Sequence, residues 1–190
     1  FEIDLNGKTA VETGGGGVLC SDFAKTVAHC GAKVAVLDLN ADAAAKVAGE
    51  INSLGGTAMA VGTNVLDKES LSDAKEEINN AFGRVDILLN GAGGNNPKGT
   101  TSKDYYEKGD EVREDVKSFF DLDPKGIEFV FNLNFLGTLL PTQVFAPDLI
   151  DSDDGCIINI SSMNAFCPLT RIPAYSGAKA AVSNLTQWLA

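Results

Sequence analysis

Short apolar runs alternate with longer amphipathic segments along most of this 190-residue chain. The short runs are rich in β-branched residues and typical of buried strands, whereas the longer segments are typical of helices. Strands are predicted at 8–13, 33–39, 57–61, 85–90 and 156–161, and helices at 17–30, 42–54, 68–82, 129–150 and 174–190. Regular alternation of this kind predicts a parallel sheet with right-handed crossovers and helices on both faces. The predicted fold class is therefore α/β, with a doubly wound sheet of the Rossmann type.

The chain shows no internal repeat, low-complexity tract or linker, so residues 1–190 are predicted to form a single domain. One polar and charged insertion of about 30 residues, 94–123, interrupts the regular pattern. Connections of this length are usually functional or disordered. We interpret the insertion either as a flap over a substrate or as a solvated segment without a catalytic role, and the sequence leaves both open.

Charge and composition argue against several classes of function. The formal net charge of −11 disfavours nucleic acid or an anionic membrane as the main partner. We expect no bilayer-spanning segment and no signal peptide, and hence a cytoplasmic location. The four cysteines show no C-x-x-C spacing and His29 is the single histidine, so reduced thiols and no metal site are predicted.

A glycine-rich loop follows the first predicted strand and opens the first predicted helix. Glycines at this point let the backbone approach a pyrophosphate that rests on the helix N-terminus. The predicted contacts are Gly14, Gly15, Gly16, Gly17, Val18 and Leu19. Asp38 ends the second strand about 20 residues further on, where a carboxylate accepts hydrogen bonds from ribose hydroxyls and repels a 2′-phosphate. The pattern predicts NAD as the cofactor; the alternative is that Asp38 caps a helix.

Glu12 is unusual because it lies within the first predicted strand. A buried carboxylate without a partner is costly. We therefore expect Glu12 to have a partner, a raised pKa or an exposed position.

Three polar residues near the end of the chain predict proton chemistry. Tyr175 and Lys179 are four residues apart in a predicted helix, which places both on one face. A nearby ammonium favours the phenolate, so the pair is suited to exchange protons. Ser162 follows the apolar run 157–160, at the carboxyl edge of the predicted sheet, where ligands bind in open α/β folds. A surface Tyr and Lys on an amphipathic helix is the alternative.

Together with Asn134 in the run Asn134-Phe135-Leu136-Gly137-Thr138, this order resembles the catalytic set of the short-chain dehydrogenase/reductase family. The resemblance extends from Lys8 to Ala190. It implies that Tyr175 is the general acid or base, that Lys179 supports it and holds the nicotinamide ribose, and that Ser162 binds the substrate oxygen. It implies that Asn134 distorts its helix and holds a water that relays protons to Lys179.

The same resemblance implies further cofactor contacts and an assembly. Asn90, Gly91, Ala92 and Gly93 would line the adenine and ribose side, with Asn64 and Val65 beside the adenine. The glycine loop departs from the family pattern T-G-x-x-x-G-x-G at Val18 and Cys20, so looser packing of helix on strand is expected. Members carry further C-terminal strands that this chain is expected to lack. The long helices imply a homodimer or homotetramer.

Three segments, 132–145, 119–124 and 161–166, are similar to the D-mannonate oxidoreductase branch of the family, whose members interconvert a hexonate and a keto-hexuronate with NAD. A small sugar acid is therefore the expected partner. Arg171 is predicted to bind its carboxylate, because the guanidinium pairs with carboxylates through two hydrogen bonds; a surface salt bridge is the alternative. Asn95, Asn96 and Asn164 are predicted to bind its hydroxyls. Two other functions stay open: reduction of a different ketone, such as a keto-deoxy sugar acid, polyol or acyl thioester, and non-catalytic binding of a dinucleotide.

Overall fold

The computed structural model describes residues 3–190 and contains the predicted parallel sheet. The strands are β1 Thr9–Thr13, β2 Lys33–Asp38, β3 Thr57–Gly62, β4 Ile87–Asn90 and β5 Cys156–Asn159. The helices are α1 Val18–His29, α2 Ala41–Ser53, α3 Lys68–Phe82, α4 Pro124–Phe131, α5 Gly137–Ile150 and α6 Pro173–Leu189. Every strand pair is parallel and the order is β3-β2-β1-β4-β5. This is the strand order of a doubly wound Rossmann-type sheet, so the predicted fold class is confirmed.

The chain forms two compact units. The first contains the chain up to Ala92 together with Gly137–Ile160, and it holds all five strands. The second contains Gly93–Leu136 and Ser161–Ala190. The single domain expected from the sequence stays a prediction, and the two units are described in turn.

The sheet of the first unit is buried on both faces because its strands are apolar at successive positions. Side chains of successive strand residues point to opposite faces. Val11, Ala35, Leu37 and Leu88 pack with α3 and α5 in one cluster. Ala10, Val34 and Val36 pack with α1 and α2 in a second cluster. Near-continuous apolar runs are what a parallel sheet covered on both sides requires.

In the second unit, α4 and α6 share a small core of Val130, Ala174 and Ala178, with Tyr175 packed against it. The insertion 94–123 contains three short 3₁₀ turns. Its polar groups bond to one another. The carboxylate of Asp110 is 3% exposed and pairs with the ammonium of Lys103 at 3.0 Å. Ser102 N–H donates to the Lys117 carbonyl at 2.9 Å. The insertion is therefore folded upon itself.

The prediction was least accurate for the helix placed at 129–150. In the structure α4 begins at Pro124, with Asp123 as its N-cap, and a π-helical turn occupies Asn132–Leu136 before α5 begins. By length and composition the helical run Pro124–Ile150 could cross a membrane, contrary to the expectation of no such segment. One helix of this kind is weak evidence for a membrane protein, because core helices pass the same test and 44% of the apolar stretch is buried.

Candidate active site

In the second unit, α6 carries Tyr175 and Lys179 one turn apart. The Lys179 Nζ lies 5.8 Å from the centre of the Tyr175 ring, within the range of a cation–π contact. Lys179 is only 4% exposed, whereas Tyr175 is half-buried. Burial of the ammonium beside the phenol ring keeps its charge from being screened by water. The pair therefore has the arrangement that the four-residue spacing predicted.

Asn134 sits in the π-helical turn and is fully buried. Its Nδ2 donates to the carbonyls of Val130 and Gly94, both at 2.7 Å, and its Oδ1 accepts from Gly94 N–H at 3.2 Å. A side chain that bonds back to the carbonyl four residues earlier distorts a helix. The local distortion predicted at Asn134 is therefore present, and the side chain ties the helix to the start of the insertion.

The backbone of Gly93 lies against the side chains of Asn134 and Lys179. A Cβ at this position would lie 2.7 Å from Asn134 Oδ1 and 3.3 Å from Lys179 Nζ. Both distances are shorter than ordinary van der Waals contact. Gly93, Asn134 and Lys179 therefore form one tightly packed group, and only glycine fits at residue 93.

Ser161 and Ser162 have different roles although they are adjacent. Ser161 Oγ donates to the Lys179 carbonyl at 3.2 Å and lies 2.6 Å from Ser183 Oγ, so it ties the chain to α6. Ser162 Oγ accepts from Asn164 N–H at 3.2 Å. Since this bond uses the oxygen, the hydroxyl hydrogen of Ser162 stays available to a substrate oxygen. The ligand-binding role of Ser162 stays a prediction, with which this bond is compatible.

The residues proposed for a substrate do not share one environment. Asn164 is 4% exposed and its Oδ1 has no hydrogen-bond partner. Asn95 is exposed and donates to Thr100 Oγ1 at 3.0 Å, while Asn96 accepts from Lys98 N–H as the cap of a 3₁₀ turn. Asn95 and Asn96 therefore stabilise the insertion. Arg171 is exposed and forms no salt bridge within residues 3–190, so the surface salt bridge considered for it was wrong.

In the first unit the glycine loop leaves no room for side chains. Gly14 has φ +70°, and a Cβ there would lie 2.9 Å from the Ala92 backbone. A Cβ on Gly15 would lie 2.6 Å from Val36, and one on Gly16 would lie 2.7 Å from the Ala43 Cβ. Gly17 is the N-cap of α1 and provides no side-chain cap. Gly17 therefore contributes no side-chain acceptor to the first turn of α1, which suits an anionic pyrophosphate.

Asp38 is held beside this loop. Its Oδ2 accepts from Gly16 N–H at 3.0 Å and its Oδ1 accepts from Asn40 N–H at 2.8 Å. The helix-capping interpretation of Asp38 was wrong, because Asn40 caps α2 by accepting from Ala43 N–H. The Gly16–Asp38 bond was not predicted. The two residues are 22 apart in sequence, and no local sequence pattern predicts a contact between them.

The remaining predicted cofactor contacts divide into two kinds. Asn64 is exposed; its Oδ1 accepts from Leu66 N–H at 3.0 Å and keeps a second lone pair, so its place beside the adenine stays a prediction. Val65 is buried. Asn90 donates both amide hydrogens internally, to Thr142 Oγ1 at 3.0 Å and Asn159 Oδ1 at 2.9 Å. Its side chain therefore joins β4 to α5 and β5, while its buried Oδ1 has no hydrogen-bond partner within residues 3–190.

Two departures from the family loop pattern have separate outcomes. Val18 is 85% exposed at the start of α1, so it causes no clash. Cys20 is 6% exposed and fills the space where a Cβ on Gly91 would lie, 2.3 Å from its Sγ. The absence of a side chain at Gly91 thus accommodates Cys20, and the loose packing expected there is absent.

Glu12 is buried in β1, with 3% of its surface exposed. Burial raises the pKa of its carboxyl to about 8, and a hydrogen bond with the Cys20 thiol offsets only part of this. Its Oε1 has no hydrogen-bond partner. Of the three possibilities that the sequence left open, the structure shows two together, a raised pKa and a partner in the Cys20 thiol, and it excludes an exposed position.

Comparison with known proteins agrees with this geometry. The model of the short-chain dehydrogenase family matches residues 8–190. An uncharacterised oxidoreductase of Haemophilus influenzae is 58% identical over 98% of this chain, and one of Bacillus subtilis is 50% identical over 98%. The chain spans 65% and 66% of the lengths of these two relatives.

A crystal structure of a Haemophilus protein with bound NAD, provisionally named a D-mannonate oxidoreductase, has a TM-score of 0.95 and 58% identity. The match covers 98% of this chain and 66% of that one. The family match covers nearly the whole chain. This chain therefore belongs to the short-chain dehydrogenase family, and the resemblance predicted from Asn134, Ser162, Tyr175 and Lys179 is confirmed.

Proposed function

We propose that the complete protein is an NAD-dependent oxidoreductase that interconverts a secondary alcohol and a ketone on a sugar acid, D-mannonate being the first candidate. The observation that carries the proposal is the packing of Tyr175, Lys179 and Asn134 on one unit, with Lys179 buried beside the Tyr175 ring. Membership of the dehydrogenase family and the oxidoreductase names of the two relatives support it.

The residues of the second unit handle the proton while the nicotinamide, when bound, supplies or accepts the hydride. Tyr175 Oη takes the proton of the alcohol during oxidation and returns it during reduction. Lys179, buried beside the Tyr175 ring, would hold the nicotinamide ribose. Ser162 donates its hydroxyl hydrogen to the substrate oxygen and stabilises negative charge that develops there. Asn134 would hold the water that relays the proton onward to Lys179.

The first unit would bind the dinucleotide through backbone N–H groups of the glycine loop and through the carboxylate of Asp38. The glycine loop and the start of α1 would receive the pyrophosphate. Asp38, fixed by Gly16 N–H and Asn40 N–H, would accept from the adenosine ribose hydroxyls and repel a 2′-phosphate. The NAD bound to the 58%-identical Haemophilus structure supports this choice of cofactor.

The proposal that the substrate is a sugar acid depends on Arg171 and on the provisional name of that Haemophilus structure. The exposed guanidinium has no carboxylate partner within residues 3–190, so its charge is available to an anionic substrate. Asn164 has an unpartnered Oδ1, which could accept a hydrogen bond from a substrate hydroxyl. A cytoplasmic enzyme that assembles as a homodimer or homotetramer completes the proposal.

A second candidate is a protein that binds the dinucleotide without turnover. The departures from the family pattern at Glu12, Val18 and Cys20, in and next to the dinucleotide loop, favour it. A reductase acting on a different ketone shares all the features of the catalytic group and differs only in what Arg171 would contact.

The test is absorbance of reduced nicotinamide with the full-length protein, D-mannonate, and NAD or NADP in parallel. We expect signal with NAD and its loss in Tyr175→Phe, which removes the proton-handling hydroxyl. No signal, with NAD still raising the melting temperature, would show that the substrate is wrong. No signal and no thermal shift would favour a protein whose loop does not bind NAD.

A further inference from the structure

Arg171 has a backbone conformation that side chains rarely adopt. Its φ is +73°, and it is the one non-glycine residue with positive φ within residues 3–190. Such conformations are unfavourable for residues with a Cβ and persist only where the surrounding structure imposes them. They also occur preferentially at ligand-binding sites. The question is therefore what holds Arg171 in this conformation.

The insertion holds it, through a pair of reciprocal hydrogen bonds. Thr101 N–H donates to the Arg171 carbonyl at 2.9 Å, and Arg171 Nε–H donates to the Thr101 carbonyl at 3.1 Å. A third bond lies next to this pair, since Thr170 Oγ1 donates to Asp104 Oδ1 at 2.9 Å. We call these three bonds the latch. They join the segment 101–104 to the loop that connects Ser162 to Tyr175.

The insertion side of the latch is itself fixed. Thr101 Oγ1 donates to the Lys103 carbonyl at 2.9 Å. Lys103 then pairs with the buried carboxylate of Asp110, and Lys117 N–H donates to Ser102 Oγ at 2.8 Å. Segment 101–104 therefore has an internal scaffold. It can orient Arg171 before any ligand arrives, which lowers the entropic cost of binding.

The latch also determines which part of the guanidinium is offered. Because Nε–H is used by the Thr101 carbonyl, the two Nη groups at the end of the fork remain for a ligand. Their parallel N–H groups match the two oxygens of a carboxylate. Without the three bonds of the latch, binding the same oxygens would first require Arg171 to lose side-chain freedom and to adopt its unfavourable positive φ.

We propose that Thr101, Asp104 and Thr170 are positioning residues that orient Arg171 towards the carboxylate of the substrate, so that the insertion determines the preference for an acid. This rests on the proposed function, in which Arg171 binds a sugar acid. The insertion acts as a fixed wall of the substrate site. A flap that opens and closes would break the latch in each cycle.

The test compares KM and kcat for D-mannonate in the full-length protein and in Asp104→Ala, Thr170→Val and the double variant. Each single variant removes one partner of the same hydrogen bond without touching Arg171 or the catalytic group. We expect KM to rise about fivefold, as for loss of one hydrogen bond, with kcat nearly unchanged. The KM of the double variant should equal that of either single variant, because Asp104 and Thr170 are the two partners of one hydrogen bond.

Two further variants set the scale. Arg171→Ala should raise KM about 10- to 100-fold, as expected for a charged hydrogen-bond donor. Asp115→Ala makes the same side-chain change elsewhere in the insertion, where the exposed Asp115 pairs with Arg113, and should leave KM unchanged.

The outcomes separate the two proposals. If Arg171→Ala raises KM while Asp104→Ala and Thr170→Val do not, the latch is overturned and the acid-binding role of Arg171 stands. If wild-type protein turns over neutral polyols but not D-mannonate, the proposed substrate fails and the latch as an acid-specificity device fails with it. A fall in kcat at constant KM in the latch variants would also overturn the positioning role.

Discussion

Replacement of Glu12 by glutamine should make the free energy of unfolding much less dependent on pH. Glu12 is 3% exposed, and burial raises the pKa of its carboxyl to about 8 from its ordinary value of 4.5. Between these two pH values the unfolded chain loses this proton while the folded chain keeps it. Stability from this group is therefore highest below about pH 4.5, falls as pH rises, and levels off above about 8.

The size of the effect follows from the same two values. A difference of about 3.5 pH units corresponds to about 5 kcal/mol, since each unit is about 1.4 kcal/mol. This is a large part of the 5–15 kcal/mol that typically separates folded from unfolded states, so roughly a third or more of the net stability depends on one proton. Glutamine has nearly the same shape and no charge at any pH.

The assay is denaturant unfolding of wild type and Glu12→Gln at several pH values between 5 and 9. We expect the stability advantage of Glu12→Gln to grow with pH by up to about 1.4 kcal/mol per unit and to stop growing above pH 8. Glu114→Gln, which changes an exposed acid of the insertion, is the matched control and should run parallel to wild type. Parallel curves for Glu12→Gln and wild type would show that Glu12 ionises normally and that its burial has been misjudged.

Three substitutions test the close contacts of the site. Gly16→Ala should weaken NAD binding measured by calorimetry, because its Cβ would lie 2.7 Å from the Ala43 Cβ and 3.0 Å from Asp38 Oδ2; adding Ala43→Gly should restore part of the affinity, and no rescue would place the defect elsewhere. Gly93→Ala should cost about 1–3 kcal/mol of stability by overpacking and lower kcat, whereas an unchanged melting temperature would contradict the tight contact. Arg171→Gly should raise stability by about 1 kcal/mol in thermal unfolding by relieving the positive φ, and a lower melting temperature would mean that the latch contributes more than the strain costs.

The fold could be predicted because its determinants are local in sequence. Residues 68–82 were predicted as a helix with the bounds that α3 has, since Asp67 caps its start and Gly83 ends it. The strands differ from their predicted bounds by one or two residues: β3 is one residue longer than predicted and the other four are shorter. The start of α4 differs from the predicted start at 129 because α4 begins at the N-cap Asp123 followed by Pro124, ahead of the apolar pattern on which the prediction depends.

The site could be predicted only where residue type and spacing carry the chemistry. The spacing of Tyr175 and Lys179 placed them on one face of α6, and the glycines located the dinucleotide loop. The contacts of Asp38 with Gly16, and of Arg171 with Thr101, join distant segments through backbone atoms. No pattern of side chains encodes such bonds, so sequence could suggest the residues but not what holds them.

The latch also has a consequence for folding during synthesis. Thr101 is made 70 residues before Arg171, and Asp104 is made 66 residues before Thr170. At about 5–20 residues per second the ribosome needs roughly 4–14 s to supply the second half of these bonds. During that interval the nascent insertion can form only its internal bonds, among them the ion pair between Lys103 and Asp110. A mutation that breaks this pair would therefore act on the growing chain, where chaperones and proteases meet it, before it acts on the finished enzyme.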